Sequence, residues 1–146
     1  MKRVRIDRIH KPGYDSTMSK RRIQLGREGE SIMDEALRNQ GFTIEARNWR
    51  CAVGEVDLIA TRNTEWYFVE VRTRHGAKSI SPEEGLTFRK RERMEKVARF
   101  YLGQHAGSGD IIWHLSFAAV ILNPTGTLQR ITLYLDLESD GQELLC

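Results

Sequence analysis

GEVDLIATRNTEWYFVEVR, residues 54–72, is the stretch on which the fold turns. Two apolar, β-rich runs flank the polar tetrad Arg62-Asn63-Thr64-Glu65, the pattern of a β-hairpin. Carboxylates interrupt both runs: Glu55 and Asp57 in the first, Glu70 in the second. Side chains alternate faces along a strand, so Glu55 and Asp57 share one face, and Glu70 shares a face with Arg72. A turn centred between Asn63 and Thr64 places Asp57 opposite Glu70 and Glu55 opposite Arg72. Like charges directly opposite each other destabilise a sheet. Such a pair is tolerated when something positive sits between the two, such as a divalent cation. Asp57 and Glu70 are therefore expected close enough to share one cation, with Glu55 and Arg72 in a bidentate ion pair beside them.

Upstream of the hairpin, residues 42–51 (FTIEARNWRC) alternate as a strand, with Phe42, Ile44 and Ala46 on one face. Ala52-Val53-Gly54 turns the chain into the hairpin. Residues 18–40 read as a first helix, in which Leu25, Gly29, Ile32, Met33, Ala36 and Leu37 form an inward stripe. Gly26 and Gly29 mark where that helix approaches another backbone, and Gly41 stops it. Glu30 borders the buried stripe, as an acid paired with a neighbouring arginine or as one facing the hairpin acids. Residues 1–17 lack periodicity and read as a flexible basic arm, either untethered or resting on phosphates.

Downstream, residues 73–81 form a polar loop. Ser81, Pro82 and Glu84 then carry the signature of a helix start, opening a second helix over 82–105. Leu86, Met94, Val97, Ala98, Tyr101 and Leu102 make its apolar stripe. Lys90 falls on that stripe, where a lysine either snorkels outward or reaches an acid inside; the second is expected, with Glu70 and Asp57 as its target. Arg89, Arg91, Arg93, Lys96 and Arg99 make the other face basic. Strands follow near 111–123 and 128–137, and residues 139–146 are a polar tail. The order helix, three strands, helix, two strands predicts an α/β domain over 18–138, with one mixed sheet between helices.

The chain has 146 residues, the size of one domain, and its 40 % hydrophobic content suffices for a core. No apolar run is long enough to span a bilayer, and the basic N-terminus lacks the apolar stretch of a signal peptide. A cytoplasmic location is expected, with no membrane partner. Cys51 and Cys146 have neither metal nor disulfide spacing, and the four histidines are scattered. Net charge is only +3, but residues 1–27 hold nine Lys/Arg against two acids, and residues 72–99 hold nine against four. Charge concentrated in this way suits a polyanion. A solvated tail and a solvated helix face fit the same count.

LGREGE (25–30), Ala36, ARNWR (46–50), GEVDLIA (54–60), FVEVRTR (68–74) and the segment around Thr87, Lys90, Ala98, Tyr101 and Leu102 together resemble the YraN-like family of uncharacterised bacterial proteins. That family belongs to the restriction-endonuclease-like superfamily with the PD-(D/E)XK signature and is close to archaeal Holliday junction resolvases. The resemblance covers roughly residues 22–122. It implies a restriction-endonuclease-like αβββαβ core. It implies Asp57 and Glu70 as metal ligands, with the Val71 carbonyl beside them, and Glu30 as an accessory carboxylate. By analogy with the resolvases it also implies a homodimer. Two positions depart from the family pattern: Arg72 stands where the signature carries lysine, and Ser116-Phe117-Ala118 stands where relatives carry Arg-Phe-Asp. Arginine is charged at every accessible pH and cannot act as a base.

The expected function is a metal-dependent endonuclease-like protein, with Mg²⁺ or Mn²⁺ as cofactor. DNA, branched or otherwise structured, is the expected partner. The catalytic set is Glu30, Asp57, Glu70 and Arg72, and the cations expected on nucleic acid are Arg47, Arg50, Arg74, Arg89, Lys90 and Arg93. Because Arg72 replaces lysine, an inactive nucleic-acid-binding module of the same fold is the alternative. A partner-binding scaffold is a third reading.

Overall fold

A computed structural model describes residues 3–6, 21–76, 78–107 and 109–137. Nine elements follow one another: β1 (Arg3–Ile6), α1 (Arg21–Asn39), β2 (Thr43–Cys51), β3 (Gly54–Arg62), β4 (Glu65–His75), α2 (Pro82–Gly85), α3 (Phe88–His105), β5 (Trp113–Leu122) and β6 (Leu128–Tyr134). The six strands form one sheet in the order β1-β6-β5-β4-β3-β2. Only β4 and β5 run parallel, so the sheet is mixed. From α1 to β5 the chain has the αβββαβ order of restriction-endonuclease-like folds.

Each face of the sheet has its own core. On one side α1 buries Ile32, Met33, Ala36 and Leu37 against Leu58, Val69, Val71, Ala118 and Val120. On the other, α3 buries Met94, Val97, Ala98, Tyr101 and Leu102 against Ile59, Phe68, Leu115 and Phe117. Gly29 permits the close approach on the first side: a Cβ there would lie 1.7 Å from Thr73 Oγ1. Gly26, expected to share that role, has nothing within 4 Å of its would-be Cβ.

The hairpin turn is centred as the sequence indicates. Arg62 pairs with Glu65, and the ladder runs without slip to Leu58–Val69. Asn63 and Thr64 have φ of 51° and 65°. Positive φ at both central residues is what lets a two-residue turn match the twist of its strands.

Three expectations need correction. Arg3–Ile6, assigned to the flexible arm, is a strand pairing antiparallel with β6. Its four residues are too short a run to show periodicity, and it gains order by completing a sheet edge. The rest of the arm and the polar tail at 139–146 lie outside the described residues. The second helix is two helices. Ser81 and Glu84 close a capping box on α2, but Leu86 is extended and Thr87 starts α3 afresh by capping Lys90 N–H. Finally, Ala46 does not share the face of Phe42 and Ile44. The β2–β3 register shifts between Ile44 and Ala46, which turns Ala46 towards the α3 side.

Candidate functional site

The site lies where β3 and β4 part. Their last backbone pair is Leu58–Val69. Beyond it β4 stays with β5 as far as His75, while β3 stays with β2. The Val71 N–H, released from the ladder, donates to Asp57 Oδ2 at 2.8 Å. A side-chain carboxylate thus takes the place of a main-chain acceptor. β3 also changes face at this point. Val56 belongs to the α3-side core and Leu58 to the α1-side core, although regular alternation would put them together. On β2, Asn48 sits between the pairs Arg47–Leu58 and Trp49–Val56, opposite Asp57, and has φ 46°. Asparagine is among the few residues that accept this conformation. Two irregularities facing each other therefore bend both strands at Asp57 and turn its carboxylate into the gap.

Glu70, 5 % exposed, projects to the α3 side. The Lys90 ammonium pairs with its Oε2, and Arg72 Nε lies 3.4 Å from the same oxygen. Lys90 is thus the lysine that turns inward from its stripe. Glu30 comes from α1 and accepts a hydrogen bond from the Asn48 side chain. Burial raises the Glu30 carboxyl above its ordinary value, as do Glu70 and Glu55; Asn48 and Arg27 oppose them. The effect is larger at Asp57. Burial first, then the Glu70 charge and Glu30, push its carboxyl up to about 7, against the pull of the Val71 N–H and Lys90. Three carboxylates from three elements therefore feel one another, with Lys90 and Arg72 as local counter-charge.

The expected Glu55–Arg72 pair does not form. Glu55 binds Arg50, Nε to Oε2 at 2.8 Å, and Arg72 turns to Glu70. The hairpin pairing stops at Leu58–Val69, so residues 55 and 72 never come opposite each other. Of the cations expected on nucleic acid, Arg47 and Arg50 each face a carboxylate. Arg47 Nε lies 2.7 Å from Oδ2 of the buried Asp34, which Arg38 also holds, and Arg50 binds Glu55. Arg74, Arg89 and Arg93 are exposed. Two clefts reach the cluster. One, of about 390 Å³, is lined by Arg50, Gly54, Glu55, Lys90, Arg93 and Met94. The other, of about 230 Å³, is lined by Arg27, Glu30, Ser31, Arg47, Asn48 and Leu58.

Sequence reasoning missed Asn48. The signal was present, an asparagine inside a strand that otherwise alternates, where its low β-propensity marks an irregularity.

Residues 29–122 match the profile of uncharacterised protein family UPF0102. The chain belongs to that family. Among relatives, a UPF0102 protein of Clostridium botulinum (strain Loch Maree / Type A3) is 37 % identical over 109 residues, covering 75 % of this chain and 89 % of its own. One from Nocardia farcinica is 40 % identical over 100 residues, 68 % of this chain and 78 % of its own. One from Roseiflexus castenholzii is 36 % identical over 103 residues, 70 % and 83 % of the two chains. The UPF0102 match takes in every member of the acid cluster, from Glu30 to Lys90, and excludes β1 and β6. This is the YraN-like family indicated by the motifs of the sequence.

The donor set suits a hard cation. Asp57 and Glu70 offer carboxylate oxygens, and burial together with the Glu70 charge holds the carboxyl of Asp57 towards its protonated form, a penalty that a bound cation would relieve. Among the described residues, no group of three or more His, Cys, Asp or Glu side chains is arranged to hold a metal. Asp57 and Glu70, with the Val71 carbonyl beside them, are the residues that would hold such a cation, with water completing its shell. Among the described residues, no helix is long and apolar enough to cross a membrane.

Proposed function

We propose that the chain is a metal-dependent, endonuclease-like protein that acts on DNA in the cytoplasm, with branched or otherwise structured DNA as its substrate and Mg²⁺ or Mn²⁺ as its cofactor. The observation that carries this reading is the partly buried Asp57–Glu70 pair with Lys90 on Glu70. A fold that needed only stability would not gather carboxylates where burial and neighbouring acids penalise the charge of Asp57 and Glu30. Bound at Asp57 and Glu70, a divalent cation supplies Lewis acidity at the phosphate and activation of water.

The protein's own residues divide the remaining work. Asp57, fixed by the Val71 N–H, and Glu70, fixed by Lys90, present oxygens at the mouth of the strand gap. Lys90 brings a lysine to the acid cluster from α3, so the arginine at position 72 does not leave the site without one. Arg72 is 45 % exposed and touches Glu70 through Nε, which leaves the outer guanidinium nitrogens for a phosphate. Glu30, with its raised pKa, is suited to proton transfer with water at the second cleft. Arg74, Arg89 and Arg93 hold the strand electrostatically. Dimerisation, as in the resolvases, belongs to the same proposal.

The second reading, a nucleic-acid-binding module without turnover, draws support from Glu70. Two cations already sit on its Oε2, which lowers its need for a third. Incubation of plasmid and four-way-junction DNA with Mg²⁺ or Mn²⁺ separates the two. Metal-dependent nicking abolished by Asp57→Ala supports the nuclease. Salt-sensitive binding without nicking in either metal supports the module.

A further inference from the structure

Among the described residues, Phe88 is 81 % exposed, against 40 % to 56 % for the other exposed large apolar side chains, Val53, Phe100 and Ile112. Solitary apolar side chains on a surface are ordinary. The setting of this one is not. It is the first residue of α3, one position past the Thr87 cap and two before Lys90. The first turn contains no acid, and Phe88, Arg89, Lys90 and Arg91 surround the helix tip with one aromatic ring and three cations. Helix stability would favour acids there, at the positive end of the dipole. Several other surface cations are neutralised: Arg50 by Glu55, Arg99 by Glu95, Lys96 by Glu92. Among the described residues, no carboxylate pairs with Arg89 or Arg93.

We propose that Phe88 is a stacking platform for an unpaired base, so that the protein selects DNA with single-stranded or unstacked nucleotides over continuous duplex. This inference rests on the proposed action on DNA and names the feature of the substrate that is read. An exposed ring flanked by Arg89 and Arg91, neither of which pairs with a carboxylate among the described residues, matches a polyanion that also offers flat apolar faces, and a duplex hides those faces in its stack. Base stacking on an aromatic residue is tolerant of sequence. Two residues apart on a helix, Phe88 and Lys90 project to nearly opposite sides of α3. The stacked base is therefore not the one beside the reacting phosphate. It lies about one helix diameter away, roughly 10 Å, or about three nucleotides along a stacked strand.

The test compares forked DNA, carrying 2-aminopurine in its unpaired arm near the branch, with fully paired DNA of the same length at one salt concentration. Affinity is read by anisotropy and stacking by quenching of 2-aminopurine emission. Wild type is expected to bind the fork about tenfold more tightly than duplex and to quench the probe. Phe88→Ala should bring the two affinities together and abolish quenching while leaving duplex affinity unchanged. Phe88→Trp should restore both effects, and Phe88→Leu, apolar without a ring, should restore neither. An equal loss on fork and duplex, or a fork preference that survives Phe88→Ala, overturns the inference. So does a change in sedimentation with fork preference intact, which would assign Phe88 to a contact between protein molecules. If wild type binds neither DNA, the proposed function falls as well. If it binds both and Phe88 makes no difference, only the stacking inference falls.

Discussion

Lys90, on α3, ends on the carboxylate of Glu70, in the middle of β4 and twenty residues away in sequence. The contact joins the helical layer to the sheet at the acid cluster. It gives Glu70, 5 % exposed, a counter-charge that no residue of β3 provides.

Removing that counter-charge leaves the buried carboxylate with Arg72 alone, 3.4 Å away and 45 % exposed. Lys90→Met keeps the aliphatic stem and deletes the ammonium, and should destabilise the protein by about 1–3 kcal/mol, less than for a fully buried pair because Lys90 is 35 % exposed. Millimolar Mg²⁺ should then raise the melting temperature of the variant more than that of wild type, since a metal at Glu70 replaces the lost charge. Equal shifts for the two proteins would mean that no cation binds at this carboxylate.

Thr64 is a β-branched residue at φ 65°, a conformation costly for any side chain and most costly for a branched one. Asn63 before it already suits the turn. Thr64→Gly should stabilise the protein by about 1 kcal/mol, measured by urea unfolding, because relief of strain exceeds the added freedom of the unfolded chain. The site lies at the far end of the hairpin, so DNA binding should not change.

The hairpin was legible because its turn residues and two alternating runs fix the register locally, as Arg62–Glu65 to Leu58–Val69 show. What happens past Leu58 was not legible. Whether β4 continues beside β3 or leaves it is decided by β5, more than forty residues on, which pairs with β4 from Trp66 to His75. The expected Glu55–Arg72 pair failed for that reason. Lys90 could be read because a lysine on an apolar helix stripe conflicts with burial unless an acid meets it. Arg47 could not: its contact with Asp34 joins β2 to α1, and no spacing in the sequence announces it. The capping box at Ser81 was legible, but the break at Leu86 was not. Gly85 lies so close to Phe117 that an added Cβ would be 2.4 Å from the ring, a constraint set by tertiary packing.

Two cations touch Glu70, and they are not equivalent. Lys90 is the more buried, and Arg72 is 45 % exposed at the rim. If cleavage occurs, Lys90→Ala should lower kcat by about 10²–10⁴, the range for a positioned proton-transfer or water-orienting group. Arg72→Ala should mainly raise KM by weakening phosphate contact, and Arg72→Lys should recover part of that loss, since a point charge replaces a fork. The measurement is single-turnover nicking alongside binding of the same DNA. A larger kcat loss at Arg72 than at Lys90 would make arginine the working residue.

Asp57 gives the protein a pH dependence whose sign can be worked out. Its carboxyl lies near 7 in the fold, against an ordinary 3.8, because burial and Glu70 penalise the charge. A raised folded value means that the fold prefers the protonated acid. The stabilisation is complete below the ordinary value and is lost as pH rises through about 7. Metal-free wild type should therefore lose stability between about pH 4 and pH 8 relative to Asp57→Asn, which carries no charge and keeps an oxygen for the Val71 N–H. At pH 8 the variant should be the more stable by about 1–3 kcal/mol, and at pH 4 the difference should vanish. A divalent cation reverses the preference by binding the ionised form. Mg²⁺ affinity should thus rise with pH below about 7, level off above it, and be accompanied by proton release, which calorimetry in buffers of different ionisation heat measures directly. Asp57→Asn should bind little metal at any pH. A wild type whose stability tracks that of Asp57→Asn from pH 4 to 8 would show that Asp57 ionises normally and that the acids are too far apart to share a cation.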